Sequence, residues 1–154
     1  MSRISSITLT EQPEQHILSI RTTIDFMKEF SDFCGQAFGK ITEYLNSIDV
    51  LLGGPPVVCF HNMDLEQLDV EVGFPVATVI NVNGEIKANI IPAQRVVSAI
   101  DLGPYEKQDP TLEEIFGWMQ KNSYEMQGEI YYYYLNDTER PESEYLTKMV
   151  IPIK

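Results

Sequence analysis

Glu71-Val72-Gly73-Phe74-Pro75-Val76 decides the fold, because its second half returns near the C-terminus as Ile151-Pro152-Ile153. Val72, Phe74 and Val76 alternate with Glu71, Gly73 and Pro75, the period-2 pattern of a strand with one apolar face. The strand-like run extends from about Glu66 to Val76, adding Leu68 and Val70 to the apolar side and Asp69 to the other. A further match, Ile17-Leu18-Ser19 against Val96-Val97-Ser98, lies 79 residues apart, where the first pair lies 77 apart. Each match is short, but both keep one element order and nearly one offset, which points to an internal duplication.

Working outward from the repeat, each half reads strand, helix, strand, strand. In the first half, Gln15 to Thr22 is a short strand after Pro13. Asp25 then caps a long helix whose apolar stripe is Phe26, Phe30, Phe33, Ala37, Ile41, Tyr44 and Ile48. Gly35 and Gly39 interrupt that helix at about 1 kcal/mol each relative to Ala, and close approach to a strand is the expected compensation. Gly53-Gly54-Pro55-Pro56 ends the helix, and Val57 to His61 is a strand. Asn81-Val82-Asn83-Gly84 is a turn, and Gly84 to Ile91 is weakly strand-like. In the second half, Arg95 to Leu102 is a strand. Asp109-Pro110 starts a helix with a capping Asp and a proline at its first position, and Leu112, Ile115, Phe116 and Met119 form its buried stripe. The tyrosine run Tyr131 to Tyr134 and a last strand from about Tyr145 to Ile153 complete it. The expected fold is α+β: two tandem strand-helix-strand-strand halves, about 13–80 and 85–154, in one domain over 1–154. An antiparallel sheet carries both helices on one face, and the uncovered faces meet in a concavity at a pseudo-twofold.

Composition limits the partners. Eleven Lys and Arg against 23 Asp and Glu give a formal net charge of −12. A phosphate-binding face needs the opposite sign, so nucleic acid is not an expected partner. No apolar run reaches the ~20 residues needed to span a bilayer. Cys34 and Cys59 sit in apolar runs without metal or redox spacing and read as reduced, buried thiols of a cytoplasmic protein. His16 and His61 lie on separate strands with no i, i+4 partner, so no metal site and no cofactor is expected.

Several segments carry a family resemblance. Glu71 to Val76 resembles the pattern [DE]-V-G-x-P-V, and Leu102-Gly103-Pro104-Tyr105-Glu106 resembles a G-P-Y-E turn. Asn83-Gly84-Glu85 through Ile91-Pro92-Ala93 matches the start of that family's second half. Tyr134-Leu135-Asn136-Asp137, Pro141-Glu142, Leu146-Thr147 and Ile151-Pro152-Ile153 follow its closing motif in order. The chain resembles the GyrI-like small-molecule-binding domain, which is also the effector domain of AraC-type and multidrug-responsive regulators. The resemblance implies a tandem fold with an aromatic ligand pocket at the pseudo-twofold, in a stand-alone form without a helix-turn-helix. Its pocket receives amphipathic, frequently cationic compounds, often on a central glutamate. It also implies a likeness of fold to SOUL-type haem-binding proteins.

Aligned on Leu135-Asn136-Asp137, the family's glutamate position holds Tyr132 and its tyrosine Tyr134. Tyr132 and Tyr134 are therefore expected to face the concavity, with Tyr131, Tyr133 and Leu135 packed under the helices. Tyr105 of the G-P-Y turn lines the pocket by the same resemblance, and Trp118 is either pocket wall or helix packing. Glu71 corresponds to Lys148 under the repeat, and both oppose the apolar positions. They either form a salt bridge or supply two poles of the site. An unpaired carboxylate there favours a cation, and tyrosine faces add ~0.5–2 kcal/mol. Glu71, Tyr105, Trp118, Tyr132, Tyr134 and Lys148 are the candidate ligand-binding residues. Some family members hydrolyse electrophilic cyclopropane-type natural products with a Trp-Glu pair; Tyr131 and Tyr132 stand in those places. A phenol with a pKa near 10 is a poor general base, so no catalytic residue is assigned. The expected function is binding of an amphipathic small molecule for sensing or sequestration. The alternatives are a hydrolase of such electrophiles, or an acidic protein acting on a partner such as gyrase or a regulator.

Overall fold

The computed structural model describes residues 3–82, 84–136 and 139–154, so Asn83 of the expected turn and Asp137 of the closing motif lie outside the described residues. The elements in chain order are β1 (Thr8–Gln12), β2 (Gln15–Ile24), α1 (Phe26–Ser47), β3 (Val57–Phe60), β4 (Leu68–Val76), β5 (Lys87–Ile91), β6 (Gln94–Leu102), α2 (Asp109–Lys121), β7 (Ile130–Tyr134) and β8 (Leu146–Pro152). Short 3-10 turns occur at Tyr105–Lys107 and Glu142–Glu144. The fold is α+β. No helix among the described residues is long and apolar enough to cross a membrane.

The chain divides into two compact units, Glu14–Pro92 and Met1–Pro13 with Ala93–Lys154. The first is an antiparallel sheet in the order β3-β4-β2-β5, with α1 against β2 and β4. Phe38 of α1 meets Phe74 of β4 at 5.2 Å between ring centroids, so Leu68, Val70, Val72 and Phe74 form the helix-covered face. The second is an antiparallel sheet in the order β1-β6-β8-β7. Its core joins Val97 and Ala99 of β6, Ile115 and Met119 of α2, Ile130 of β7, and Met149 and Ile151 of β8. Packing one apolar stripe of a helix on one apolar face of a sheet is what buries both.

The unit boundaries exchange two short strands relative to the sequence halves. β5, expected at the start of the second half, pairs with β2. β1, which no sequence signal marked, pairs with β6. Each unit thereby gains a fourth strand of five residues. Both are largely exposed, which is why their apolar patterns are faint.

Both helices end in one device. Val50 N donates to Leu45 O at 3.1 Å and Asp49 N to Asn46 O at 3.3 Å. At the end of α2, Tyr124 N donates to Met119 O at 2.9 Å and Ser123 N to Gln120 O at 3.2 Å. These are the paired bonds of a Schellman motif, which needs a left-handed residue after the cap. Asp49 (φ 54°) and Ser123 (φ 62°) fill that place without being glycine. α1 therefore stops at Ser47, ahead of the Gly53-Gly54 that the sequence suggested. At the start of α2 the cap residue is Gln108, not Asp109, and no side chain caps it. The Gln108 side chain instead donates to Thr147 Oγ1 at 2.8 Å.

The close approach expected at the glycines of α1 is not found, since a Cβ at Gly35 or Gly39 would meet nothing within 4 Å. Close approach belongs to Gly73, where a Cβ would sit 2.5 Å from Leu18 O and 2.9 Å from Ser19 Cβ. Cys34 is half-buried rather than buried, and its thiol is pushed up to about 12 by burial, which leaves it unreactive.

Candidate functional site

Gly103 takes φ 130°, a conformation that glycine tolerates, and its N–H donates to Tyr145 O at 2.9 Å. The chain then turns through Pro104 and presents Tyr105 just ahead of α2. Tyr134, at the end of β7, lies opposite Thr147 of β8, and Tyr145 immediately precedes β8. The Tyr105 ring centroid is 4.8 Å from that of Tyr134, tilted by 47°, and 4.9 Å from that of Tyr145, stacked at 27°. All three rings are half-exposed. Burial, followed by the neighbouring Tyr145, raises the Tyr105 pKa, so this phenol is neutral at physiological pH.

Two residues earlier in β7, Tyr132 pairs with Met149 and packs against the α2 core. Burial, then the charge of Asp109, pushes its phenol up to about 12. It is a neutral hydroxyl and a poor base. This position corrects the expected side of the tyrosine run. Tyr132 and Tyr134 lie on the face that α2 covers, whereas Tyr131 and Tyr133 lie on the helix-free face. Ile130 fixes this parity. It is fully buried in the α2 core and carries Tyr132 and Tyr134 with it at a spacing of two. Tyr131 and Tyr133 are buried as well, with ring centroids 6.4 Å apart, but not under the helix. Leu135, expected in the core, is 40% exposed.

The structure brings Tyr105 and Tyr134 together and adds Tyr145, which the sequence reading passed over. The sequence signal for it was slight: one aromatic residue at the expected start of the final strand. Trp118 lies elsewhere. It packs on the core near the C-terminal end of α2 and stacks on Tyr124 at 5.8 Å, with the Arg95 guanidinium 5.7 Å from the Tyr124 ring centroid. Nine residues of helix separate Trp118 from Asp109, about 13 Å at 1.5 Å per residue. Lys148 is half-buried on the helix-free face, opposite Tyr133. Gln12 Nε2 donates to the Tyr133 hydroxyl on that side at 3.2 Å. A concavity of about 410 Å³ lined by Glu11, Gln12, Pro13, Ala93, Gln94 and Arg95 includes none of the expected site residues.

In the Glu14–Pro92 unit, Glu71 occupies the helix-free face and is only 7% exposed. Ser19 Oγ donates to its Oε2 at 2.5 Å, Asn89 Nδ2 donates to the same oxygen at 3.0 Å, and His61 Nε2 lies 2.8 Å from Oε1. Asn89 also donates to Ser19 Oγ at 3.0 Å. Burial pushes the carboxyl pKa up, but the His61 and Ser19 hydrogen bonds, the charge of His61 and the Asn89 amide outweigh it. Glu71 is held below the usual carboxylate range. It is therefore not the unpaired acid entertained from the sequence. The basic side chain beside it is His61, not the Lys148 that the sequence offered as one alternative. Among the described residues, no group of three or more His, Cys, Asp and Glu residues is placed to hold a metal ion.

Comparison with known proteins adds the following. The model of the GyrI-like small molecule binding domain matches residues 5–154. The EcmrR C-terminal domain is similar in structure, at TM-score 0.84 and 20% identity over 97% of each chain. Against the EcmrR chain in its DNA complex the TM-score is 0.85, also at 20% identity. That alignment covers 97% of this chain but only 57% of the other. A hydrolase from Listeria innocua aligns at TM-score 0.70 and 13% identity, covering 96% of this chain and 91% of that one. SAV2435 bound to tetraphenylphosphonium aligns at TM-score 0.62 and 13% identity over 97% and 94%. No curated protein matches the chain.

Proposed function

We propose, for a chain that belongs to the GyrI-like small molecule binding domain family, that it binds amphipathic aromatic cations on the tyrosine cluster of its Ala93–Lys154 unit, to sense or sequester them. The observation that carries this reading is the contact of three half-exposed phenol rings, Tyr105, Tyr134 and Tyr145, at 4.8 and 4.9 Å. A tyrosine ring offers an apolar face and a polar tip, which suits a ligand that is itself part apolar and part polar. Glu106, Asp109, Glu142 and Glu144 adjoin these tyrosines in sequence, against Lys107 and Arg140, so the local charge favours a cation. Tetraphenylphosphonium bound to SAV2435 supports the same ligand class.

The other candidates take supporting roles. Tyr132 forms the floor of the site beside the α2 core, and Trp118 fixes the far end of the helix. Glu71 is committed to Ser19, Asn89 and His61, and Lys148 lies on the helix-free face of its unit, so neither takes part in the ring contact. Hydrolysis is disfavoured because a phenol at about 12 is almost fully protonated at neutral pH.

Calorimetric titration with tetraphenylphosphonium tests the reading. Each face-on ring contributes up to about 2 kcal/mol to a desolvated cation, or about 30-fold in Kd. Tyr134→Ala is expected to weaken binding by roughly ten- to thirty-fold, while Tyr134→Phe keeps most of it. Absence of binding below about millimolar, or equal losses in both variants, contradicts the reading.

A further inference from the structure

The duplication places a second aromatic cluster in the other unit. In the first unit, Val57 pairs with Gly73 and Phe60 with Val70; in the second, Tyr131 pairs with Val150 and Tyr134 with Thr147. Laying Gly73 on Val150, as the match of Phe74-Pro75-Val76 to Ile151-Pro152-Ile153 requires, lays Phe60 on Tyr134. The 79-residue offset of β2 and β6 likewise lays Phe26 on Tyr105. Phe60, the counterpart of Tyr134, thus also meets an aromatic ring, that of Phe26 at the head of its unit's helix, where Tyr105 stands just ahead of α2.

Phe26 and Phe60 stand 5.9 Å apart edge to face, and Phe30, one turn along α1, completes the group. Its ring is 4.8 Å from Phe26 and 5.8 Å from Phe60. All three rings are half-exposed, and Met27, Met63 and Leu65 in the same segments are 82%, 54% and 47% exposed. Single exposed apolar residues need no explanation, but a cluster of aromatic rings in segments that also expose methionine and leucine marks a binding face. Methionine adapts its shape and contacts aromatic ring edges well. Phe26 N donates to Leu65 O at 2.8 Å, which ties the ring cluster to the Asp64–Glu66 loop. Asp25 and Glu29 stand at the head of α1. Asp25, Glu29, Asp64 and Glu66 thus flank the rings, against Lys28.

We propose that Phe26, Phe30 and Phe60, with their acidic surround, form a second small-molecule site. It takes a lipophilic cation whose aromatic or alkyl groups carry no hydrogen-bonding polar group. The inference rests on the Phe cluster itself and goes beyond the tyrosine site. The two would differ in chemistry: phenols can hydrogen-bond a polar edge of a ligand, whereas phenyl rings accept only apolar surface and positive charge.

The test is a calorimetric titration of the full chain with tetraphenylphosphonium and with tetraphenylborate, its anion of matching shape. The expected stoichiometry is two cations per chain. Phe60→Ala weakens one of the two classes of site and Tyr134→Ala the other, each by roughly ten- to thirty-fold, and the double variant weakens both, with the borate at least tenfold weaker throughout. Because Phe60→Ala also removes packing, the ring-preserving variant Asp64→Asn/Glu66→Gln is run beside it. That variant is expected to weaken the same class of sites by roughly three- to tenfold and to leave the Tyr134-sensitive class unchanged. Binding lost in Tyr134→Ala but unmoved in both first-unit variants overturns the second site and leaves the tyrosine reading standing. One cation per chain lost equally in Phe60→Ala and Tyr134→Ala also overturns it, since the clusters then do not act as separate sites. Binding sensitive only to Phe60 supports the second site and removes the tyrosine reading. No binding removes both.

Discussion

Glu71 is a buried charge that three neighbours keep charged. Its pKa is lowered in the folded state, so the carboxylate contributes stability above its unfolded value, near 4.3, and loses it as pH falls through the folded value. Unfolding free energy measured by denaturant at pH 7, 4 and 3 is therefore expected to drop with acidification. In Glu71→Gln that drop is smaller. At pH 7, Glu71→Ala leaves Ser19, Asn89 and His61 without their shared acceptor, a loss of about 3 kcal/mol. Equal acid sensitivity in wild type and Glu71→Gln would show that other carboxylates dominate. The lowered pKa of Asp69, hydrogen-bonded to Arg21, belongs to an exposed pair and adds little. The alternation of β4 placed Glu71 on the face opposite Leu68, Val70, Val72 and Phe74, as the register shows. It could not reveal the three partners, because Ser19, His61 and Asn89 come from three different strand segments joined only by register.

At the scale of elements, α1 was plain from its three- and four-residue spacing, and β4 from its strict alternation. The side of β7 was not. Four tyrosines in a row have no apolar parity of their own, and the family's glutamate is absent, so only Ile130 could orient the strand. The ends of α1 and α2 were equally hidden, because Asp49 and Ser123 do work usually given to glycine. A non-glycine residue in the left-handed region costs about 1 kcal/mol relative to glycine. Ser123→Gly and Asp49→Gly are therefore each expected to raise stability by roughly 0.5–1 kcal/mol. Gly39→Ala should do the same for the opposite reason, since its Cβ meets open space in mid-helix. Thermal melts should shift upward by about 2–4 °C for each. Unchanged or lower melting in Gly39→Ala would contradict the open space seen at its Cβ.

For the whole molecule, the duplication was legible because two short matches kept one offset. It carried the fold further than any single motif. The exchanged strands β1 and β5 escaped it: each holds only five residues, largely exposed, and their membership is set by pairing. The net charge of −12 applies to every site on the chain. Long-range attraction of a monovalent cation is screened over about 8 Å at physiological ionic strength. Raising salt from 0.05 to 0.5 M is thus expected to weaken tetraphenylphosphonium binding several-fold, with most of the affinity retained from ring contact. Complete loss would mean that charge alone holds the ligand. The most direct measurement is a crystal structure of the tetraphenylphosphonium complex. A phenyl group seated on Tyr105, Tyr134 and Tyr145, with ring centroids within about 7 Å, is the predicted result. A cation bound instead on the helix-free face against Tyr131, Tyr133 and Lys148, with the tyrosine cluster empty, would contradict it.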